Sequence, residues 1–308
     1  MTKPIVLLAL VGLAAGGWYA APRYSLQDLE NVKLQPREAA GNDARPAGPD
    51  PNLAPPGKPL KPTIRIGSAN FGPLDAVKLA RPNVATRLVQ VIRQFDLLAM
   101  QDLRARDQSL LVQLLEQVNA QGRKYHYAVA PAVGRDPVQQ YDALVFDTET
   151  VQIDRLTVAS VDNRRGQFRH PPLVAAFQAR GPATSEAFTF TVVCVHTPLD
   201  RVEAEMGLLA SVYRAVRDDG RNEDDVLMLG VFGTDDEHLG PLGQVANLTA
   251  AVSGVPTTAR GARLLDNILF DRRATIEYTR RSGVMDLQRE FNVPLKELLD
   301  LTEHLPVW

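Results

Sequence analysis

The sequence predicts a protein of the α/β class in which antiparallel strand pairs accompany alternating strands and helices. Three observations favour this class. Segments with the two-residue period of a strand alternate with segments of helical period. Some strands, such as residues 192–195, are apolar on both faces, so other layers must cover both sides of their sheet. The composition, 45% hydrophobic and 23% charged over 308 residues, is that of a globular protein with a large core.

The elements follow in chain order from residue 63. The first strand is expected at residues 63–69, which alternate apolar and polar side chains. Helices are predicted where apolar residues recur at helical spacing, at residues 84–95, 108–119 and 201–216. Further strands are predicted at residues 97–100, 125–133, 142–146, 151–161, 173–178, 188–195, 226–230, 267–270, 275–278 and 305–308.

Charge and cysteine content exclude several function classes. The chain carries 34 basic and 36 acidic side chains, a net charge of −2, which argues against a basic protein that coats nucleic acid. An enzyme that cuts nucleic acid needs only a local positive field and is not excluded. The single cysteine, Cys194, rules out an intrachain disulfide and a cysteine-based zinc finger.

Residues 5–21 are uncharged and follow Lys3, the pattern of a segment inserted by the secretory machinery. About 17 residues is the lower limit for crossing a bilayer. We expect residues 1–23 to form an uncleaved membrane anchor, with a cleaved signal peptide and a buried soluble helix as alternatives. In the first two cases the rest of the protein lies outside the cytoplasm or is secreted.

Residues 24–62 are predicted to be a proline-rich linker. Eight prolines occur between Pro36 and Pro62, and proline removes backbone donors and fixes φ. The folded domain is therefore expected at residues 63–308.

Polar side chains interrupt the chain where strands end or begin. They are Asn70, Gln101, Asp102, His196, Asp266, Asn267, Glu303 and His304. Strand ends are where a rigid scaffold presents side chains to a cleft. Carboxylates, amides and imidazoles gathered there are able to hold a hard divalent cation through oxygen, or a phosphate through nitrogen donors. Taken singly, each of these residues also has an ordinary structural explanation, as a capping Asn, a solvated Asp or a half-buried His.

Eight segments within residues 63–308 carry motifs in a fixed order. They are Ile64-Arg-Ile-Gly-Ser-Ala-Asn70-Phe, Asp96-Leu-Leu-Ala-Met-Gln-Asp102-Leu-Arg104, Tyr125-His-Tyr-Ala-Val with Gly134-Arg135 and Gln140-Tyr141, Phe168-Arg169-His170-Pro171, Val195-His196-Thr-Pro, Asp225-Val-Leu-Met-Leu-Gly-Val231-Phe-Gly233-Thr-Asp235, Leu265-Asp266-Asn-Ile, and Thr302-Glu303-His304-Leu-Pro-Val307. In this order the segments resemble the endonuclease/exonuclease/phosphatase superfamily, and within it the deoxyribonuclease I-like nucleases most closely.

The resemblance implies a four-layer sandwich of two packed mixed β-sheets flanked by helices, and hydrolysis of a phosphodiester with Mg²⁺ or Mn²⁺. It implies the following roles: Asp102 and Glu303 as metal ligands helped by Asn70, His196 and His304 as groups that stabilise phosphorus or relay protons, Asp266 as a partner of one imidazole, and Arg104 and Arg169 as substrate contacts. Nucleic acid or another phosphoester is the implied ligand.

Departures from the family pattern argue against efficient catalysis. Val231 and Gly233 stand where the family has an Asp that activates water and an Asn that donates to the phosphate. Gln140 stands where the family has a carboxylate for the second His. Loss of a general base costs about 10²–10⁴ in rate. With a shortened Asp102 and a lengthened Glu303, we expect weak metal binding.

Three functions stay open at this point. The first is a domain that keeps the cleft and binds a phosphoester with weak or no hydrolysis. The second is an active Mg²⁺- or Mn²⁺-dependent phosphodiesterase in which Asp235 or Asp236 supplies the missing carboxylate. The third is a membrane-tethered structural domain with no ligand in the cleft.

Overall fold

The computed structural model describes residues 63–129, 139–182 and 186–308, together with the backbone of residues 34–36. The predicted anchor at residues 5–21, most of the predicted linker and the Gly134-Arg135 motif lie outside these ranges. Within them, no helix is both long enough and apolar enough to cross a membrane.

The smaller sheet has four strands in the order β2-β3-β5-β4. Its strands are β2 (Ile66–Leu74), β3 (Leu97–Ala105), β4 (Tyr125–Val129) and β5 (Gln139–Asp147). β2 and β3 are parallel, whereas β5 pairs antiparallel with both β3 and β4. The helices between these strands are α1 (Ala76–Leu79), α2 (Pro82–Ile92) and α3 (Ser109–Asn119).

The larger sheet has seven strands in the order β1-β6-β7-β8-β9-β11-β10. They are β1 (Leu34–Pro36), β6 (Val151–Val161), β7 (Leu173–Ala179), β8 (Thr189–His196), β9 (Val226–Val231), β10 (Leu248–Ala250) and β11 (Asp266–Asp271). Only β8 and β9 are parallel, and α4 (Val202–Arg217) connects them. Two short helices, α5 (Leu287–Phe291) and α6 (Leu295–Leu301), precede the C-terminus.

Three apolar cores order the layers as helix, sheet, sheet, helix. Leu144 and Phe146 of β5 share the central core with Val192 of β8, so the two sheets pack face to face. The outer face of the smaller sheet packs on α2 and α3, and that of the larger sheet packs on α4. This architecture confirms the predicted α/β class and the four-layer sandwich.

A buried polar contact links the two sheets at the centre of the molecule. The side-chain amide of Gln101 on β3 donates to Ser68 Oγ on β2 at 3.0 Å and to Cys194 Sγ on β8 at 3.3 Å. Burial raises the pKa of the Cys194 thiol well above its ordinary value. Because a buried amide must find partners, these bonds favour one alignment of the sheets over others.

The C-terminal segment completes the smaller sheet's edge. Val307 and Ser68 exchange two backbone hydrogen bonds, at 2.9 and 3.0 Å, and Val307 also bridges to Val284. Residues 305–308 therefore form isolated bridges instead of the predicted terminal strand. This pairing fixes the position of His304, three residues earlier.

Most predicted elements are confirmed, and the errors concern short segments. Residues 275–278, predicted as a strand, form a turn in which Thr275 N–H donates to the carbonyl of Asp271. β10, α1, α5 and α6 were not predicted because three to seven residues carry too little periodicity. Part of the predicted linker is also structured, since β1 pairs with residues 159–161 of β6.

Candidate active site

The predicted site residues lie along one edge of the two sheets. β2, β3, β8 and β9 end at this edge, and the antiparallel strands β5 and β11 begin there. Strands that run in opposite directions therefore contribute residues from opposite ends. This arrangement brings Asn70, Asp102, Asp142, His196, Val231 and Asp266 to the same side of the fold.

Asp102 lies in a β-bulge that sets the geometry of the cleft. The pairing of β3 with β5 shifts register between Met100 and Leu103, and Asp102 has a φ of +60°. A non-glycine residue in the left-handed region is uncommon, and bulges of this kind re-aim side chains. The Asp102 N–H donates to Asp142 Oδ1 at 3.1 Å, which compensates for the interrupted ladder.

Asp142 is also the carboxylate partner of His196. Its Oδ1 lies 3.5 Å from His196 Nδ1, an ion-pair distance that is long for a hydrogen bond, and both side chains are almost fully buried. Burial by itself lowers the pKa of His196, but the negative charges of Asp142 and then Asp102 outweigh it, so that the pKa is raised. The prediction that His196 lacks a carboxylate is therefore wrong. Gln140, which was expected at this place, lies two residues earlier in β5, opposite Arg104.

His304 forms the second imidazole–carboxylate pair. Its Nδ1 lies 2.9 Å from Asp266 Oδ2 and 3.0 Å from Oδ1, and Thr257 Oγ1 donates to the same Oδ2 at 2.8 Å. Burial lowers the pKa of His304, but Asp266 together with Glu303 and Asp102 raises it above the ordinary value. With Nδ1 facing a carboxylate in both pairs, Nε2 of each imidazole is the nitrogen left for a ligand.

Thr302 ties this second pair to the end of β2. Its hydroxyl donates to the main-chain oxygen of Asn70 at 2.6 Å and accepts from the His304 N–H at 2.9 Å. The side chain of Asn70 turns back on its own loop, where Oδ1 accepts from the Gly72 N–H at 2.7 Å. Asn70 thus positions the C-terminal segment through its backbone, and its amide oxygen already has a donor.

Val231 occupies the centre of the arrangement. In the larger sheet it is paired with His196 on one side and with Asp266 on the other, and its side chain is only 5% exposed. An aliphatic side chain here neither accepts a proton nor binds a cation. The next site position, Gly233, has a φ of +74°, and a Cβ on it would lie 2.8 Å from Val202 Cγ2. An asparagine at 233 is therefore sterically hindered.

Asp235 and Asp236 are engaged away from the two imidazole pairs. Asp235 Oδ1 lies 2.6 Å from His238 Nδ1, and Asp236 Oδ1 accepts from the Gly254 N–H at 3.3 Å. Neither is among the charges that shift the pKa of His196 or His304.

The oxygens near Asp102 already have protein donors. Arg104 Nε donates to Asp102 Oδ1 at 2.8 Å, and its Nη2 lies 3.4 Å from Oδ2. Glu303, the other predicted ligand, is an exposed residue. In the described ranges, the one group of three carboxylate or imidazole ligands within 4.8 Å of one another is Glu223, Asp224 and Asp225, before β9 and away from the cleft. As arranged, the donor set at Asp102 does not fit a resident divalent cation, which needs several free oxygens.

Two further residues of the site were not predicted. His170 stacks on His196 with ring centroids 4.4 Å apart and an interplanar angle of 13°. Burial, and then the neighbouring His196, lower the pKa of His170 to about 4, so this ring is neutral beside a more basic one. Glu205 of α4 is 1% exposed, and its Oε1 accepts from the Arg169 N–H at 2.8 Å. Burial raises the pKa of Glu205.

The predicted phosphate contacts lie at the rim of the cleft. Arg104 and Arg169 are both exposed, and both are close enough to His170 to lower its pKa.

The sequence did contain a signal for Asp142. It is an acidic residue within an apolar strand, and it shares the inward face of β5 with Leu144 and Phe146. His170 also stands in one of the sequence motifs, but nothing in the sequence indicated that its ring stacks on His196.

Comparison with known proteins supports the predicted relationship. No protein-family model matches the chain. The chain is 23% identical to deoxyribonuclease gamma of Rattus norvegicus over 271 residues, covering 80% of this chain and 83% of that protein. It is 21% identical to deoxyribonuclease-1 of Bos taurus over 263 residues, covering 80% and 91%. An endonuclease/exonuclease/phosphatase family protein from Bacteroides thetaiotaomicron has the same fold, with a TM-score of 0.52, 15% identity and coverage of 79% and 95%.

In sequence the chain is similar to deoxyribonuclease I-like nucleases, and it has the fold of an endonuclease/exonuclease/phosphatase family protein. The sequence matches and the structural match each cover about four fifths of this chain.

Proposed function

We propose that this protein binds a phosphodiester of nucleic acid in the cleft and hydrolyses it weakly or not at all. The observation that carries this proposal is Val231, which lies between His196 and Asp266 where the cleft would need a group that accepts a proton. The deoxyribonuclease names of the sequence relatives support nucleic acid as the ligand class.

The groups that remain in the cleft suit phosphate binding. The raised pKa values of His196 and His304 favour the positively charged imidazolium form, and each ring is held by a carboxylate at Nδ1. Arg104 and Arg169 add guanidinium groups at the rim, and such groups match phosphate oxygens well. The cleft therefore offers positive charge and nitrogen donors at the positions where a phosphoryl group would be bound.

The chemistry that the cleft lacks is activation of water. In hydrolysis, one imidazolium would donate a proton to the leaving oxygen and a base would deprotonate the attacking water. His196 and His304 have the environment for the first task. For the second task, both His-linked carboxylates are already engaged, and valine has no basic atom.

A second candidate function is an active Mg²⁺- or Mn²⁺-dependent phosphodiesterase with a rearranged site. The presence of a second imidazole–carboxylate pair, His196 with Asp142, favours it, because both acid–base groups of such an enzyme are then intact. This function would require Arg104 to leave Asp102, so that Asp102 and Glu303 are free to hold the ion.

A plasmid-nicking assay on the purified full chain distinguishes the two functions. We expect wild type to nick DNA near the background rate with Mg²⁺, Mn²⁺ or EDTA, while binding a short DNA duplex in fluorescence anisotropy. Val231→Asp, which supplies a base, should raise the nicking rate above background, whereas the matched control Val231→Asn, which has the same shape and no base, should not. Substitution at 233 is omitted because of its left-handed φ.

The opposite outcomes are equally specific. Robust metal-dependent nicking by wild type, abolished in His196→Ala, would establish the rearranged enzyme. Absence of DNA binding by a folded wild-type protein would refute the proposed function and favour a purely structural domain.

We also propose that residues 5–21 place the domain outside the cytoplasm, either as an anchor or as a cleaved signal. The support is the uncharged sequence after Lys3. Protease added to spheroplasts should digest the domain, and full protection of the domain in intact spheroplasts would refute this placement.

A further inference from the structure

The carboxylate of Asp102 is paired with a cation that belongs to the protein itself. Its side chain is 10% exposed, whereas that of Arg104 is 44% exposed, so the guanidinium spans from the buried carboxylate to solvent. Two of its N–H groups are directed to Asp102. A guanidinium has five donors in all, so others are left for a ligand at the open side.

A second protein cation lies on the loop that follows β2. Lys78 of α1 places Nζ 2.5 Å from the carbonyl oxygen of Phe71, the residue after Asn70. The same Nζ would be 3.5 Å from a Cβ on Gly72, so the ammonium lies against the loop that follows β2. Burial lowers the pKa of Lys78, and the nearby charge of Asp102 is the largest influence opposing this.

The guanidinium of Arg104 thus contacts Asp102 directly, and the ammonium of Lys78 is near enough for the charge of Asp102 to influence it. Oxygen ligands of a divalent ion must be free or bound to water, and a bound guanidinium competes directly for the same lone pairs. A cation bound beside Arg104 and Lys78 would also be repelled by both.

We propose that Arg104, assisted by Lys78, supplies the positive charge for which related nucleases are expected to use a divalent ion, and that the cleft binds its phosphate-bearing ligand without metal. This inference rests on the proposed function, in that the ligand is taken to be nucleic acid. It assigns to Arg104 a role in ligand charge neutralisation and to Asp102 the role of orienting the guanidinium.

The test uses the full chain and two readouts that are independent of each other. The first is the affinity for a short fluorescein-labelled DNA duplex, measured by anisotropy in EDTA and in Mn²⁺. The second is the affinity for Mn²⁺ itself, measured without DNA by electron paramagnetic resonance of the free ion. The variants are Arg104→Gln and a matched control, Arg221→Gln.

Arg221 is a suitable control because its local geometry repeats that of Arg104. It follows its acid by two residues, with Nε 2.5 Å from Asp219 Oδ2, and its Nη2 lies 3.4 Å from Thr191 Oγ1. Thr191 is near the start of β8, at the end opposite His196. Loss of this pair removes the same charge from the protein without touching the cleft.

We expect wild type to bind DNA equally well in EDTA and in Mn²⁺. Arg104→Gln should weaken binding in EDTA by about tenfold, as for the loss of a charge-assisted hydrogen bond, while Arg221→Gln has little effect. Freed from its guanidinium, Asp102 should bind Mn²⁺ about tenfold more tightly in Arg104→Gln than in wild type.

Each contrary result is informative. If wild type binds DNA only with Mn²⁺, or if Arg104→Gln binds normally in EDTA, the inference is wrong while the proposed function stands. If neither wild type nor either variant binds DNA, the proposed function is wrong. The Mn²⁺ affinities of wild type and Arg104→Gln then decide by themselves whether Arg104 competes with the ion for Asp102. In that case equal, tight Mn²⁺ binding by wild type and Arg104→Gln overturns the inference.

Discussion

The substitution Asp142→Asn tests whether the carboxylate found beside His196 forms a working charge pair. The two side chains are 5% and 11% exposed, with 3.5 Å between Oδ1 and Nδ1. At that distance, an effective dielectric constant of ~20 gives a Coulomb attraction of about 5 kcal/mol. Removing one partner of a buried pair typically costs about 3–5 kcal/mol. We therefore expect the free energy of unfolding to fall by about 3 kcal/mol at pH 5.5.

The loss should depend on pH in a defined direction. The pKa of His196 is raised in the folded state, mainly because Asp142 outweighs the effect of burial. A raised folded-state pKa contributes stability that is present in full below the unfolded pKa of about 6.5 and is lost as the pH rises through the folded value. The difference between wild type and Asp142→Asn should therefore be largest below pH 6.5 and should shrink toward pH 9.

Urea unfolding between pH 5.5 and pH 9 measures this difference. Asp102, His304 and His170 also face His196 and are present in both proteins, so the comparison is repeated in a His196→Gln background, where the pH-dependent part should vanish. Gln140→Ala serves as the control at the position first expected to support His196, and it should leave the pH profile unchanged. A destabilisation by Asp142→Asn that is the same at pH 5.5 and pH 9 would refute the coupling.

Three further predictions concern the surroundings of the site. Thr257→Val removes the hydroxyl that donates to Asp266 while keeping the shape of a fully buried side chain. In urea titration the free energy of unfolding should fall by about 1–3 kcal/mol, and an unchanged midpoint would show that the hydroxyl contributes nothing to stability. Gly230→Ala places a Cβ 1.9 Å from a carbonyl oxygen of β8 at a residue whose φ is +145°. The substitution should lower the free energy of unfolding by more than about 2 kcal/mol or prevent folding, and a well-folded variant with wild-type Tm would contradict this packing. Because the pKa of His170 is lowered to about 4, its contribution to stability is lost as the pH falls from about 6.5 to 4. His170→Phe, which keeps a ring on His196, should make stability fall less steeply over this interval, and an identical pH profile would count against a neutral His170.

The cleft combines an assembled scaffold with an apolar residue at its centre. Val231 is aliphatic, yet both imidazoles have carboxylate partners and the C-terminal segment is paired with β2. A variant that restores only the missing carboxylate therefore asks one chemical question of an otherwise assembled site.

Local patterns in the sequence predicted the α/β class, and the resemblance of the ordered motifs implied the four-layer sandwich. Strand and helix periods are local properties of the chain, so β6 is found at the predicted residues 151–161 and α4 within one residue of its predicted bounds. Doubly apolar strands required cover on both faces, and the sandwich provides it. The polar residues at strand ends could also be identified, because the local strand period shows where each strand ends.

Which of these side chains pair was not predictable from local patterns. The partner of His196 on β8 is Asp142 on β5 instead of Gln140, two residues earlier in the same strand, and the packing of one sheet on the other that brings Asp142 to His196 is not encoded in either strand's own sequence. The positive φ of Asp102 places its carboxylate on Arg104, which turns an expected metal ligand into half of an ion pair. Contacts between residues far apart in the chain depend on backbone geometry that no local pattern encodes, and in this protein those contacts define the cleft's chemistry.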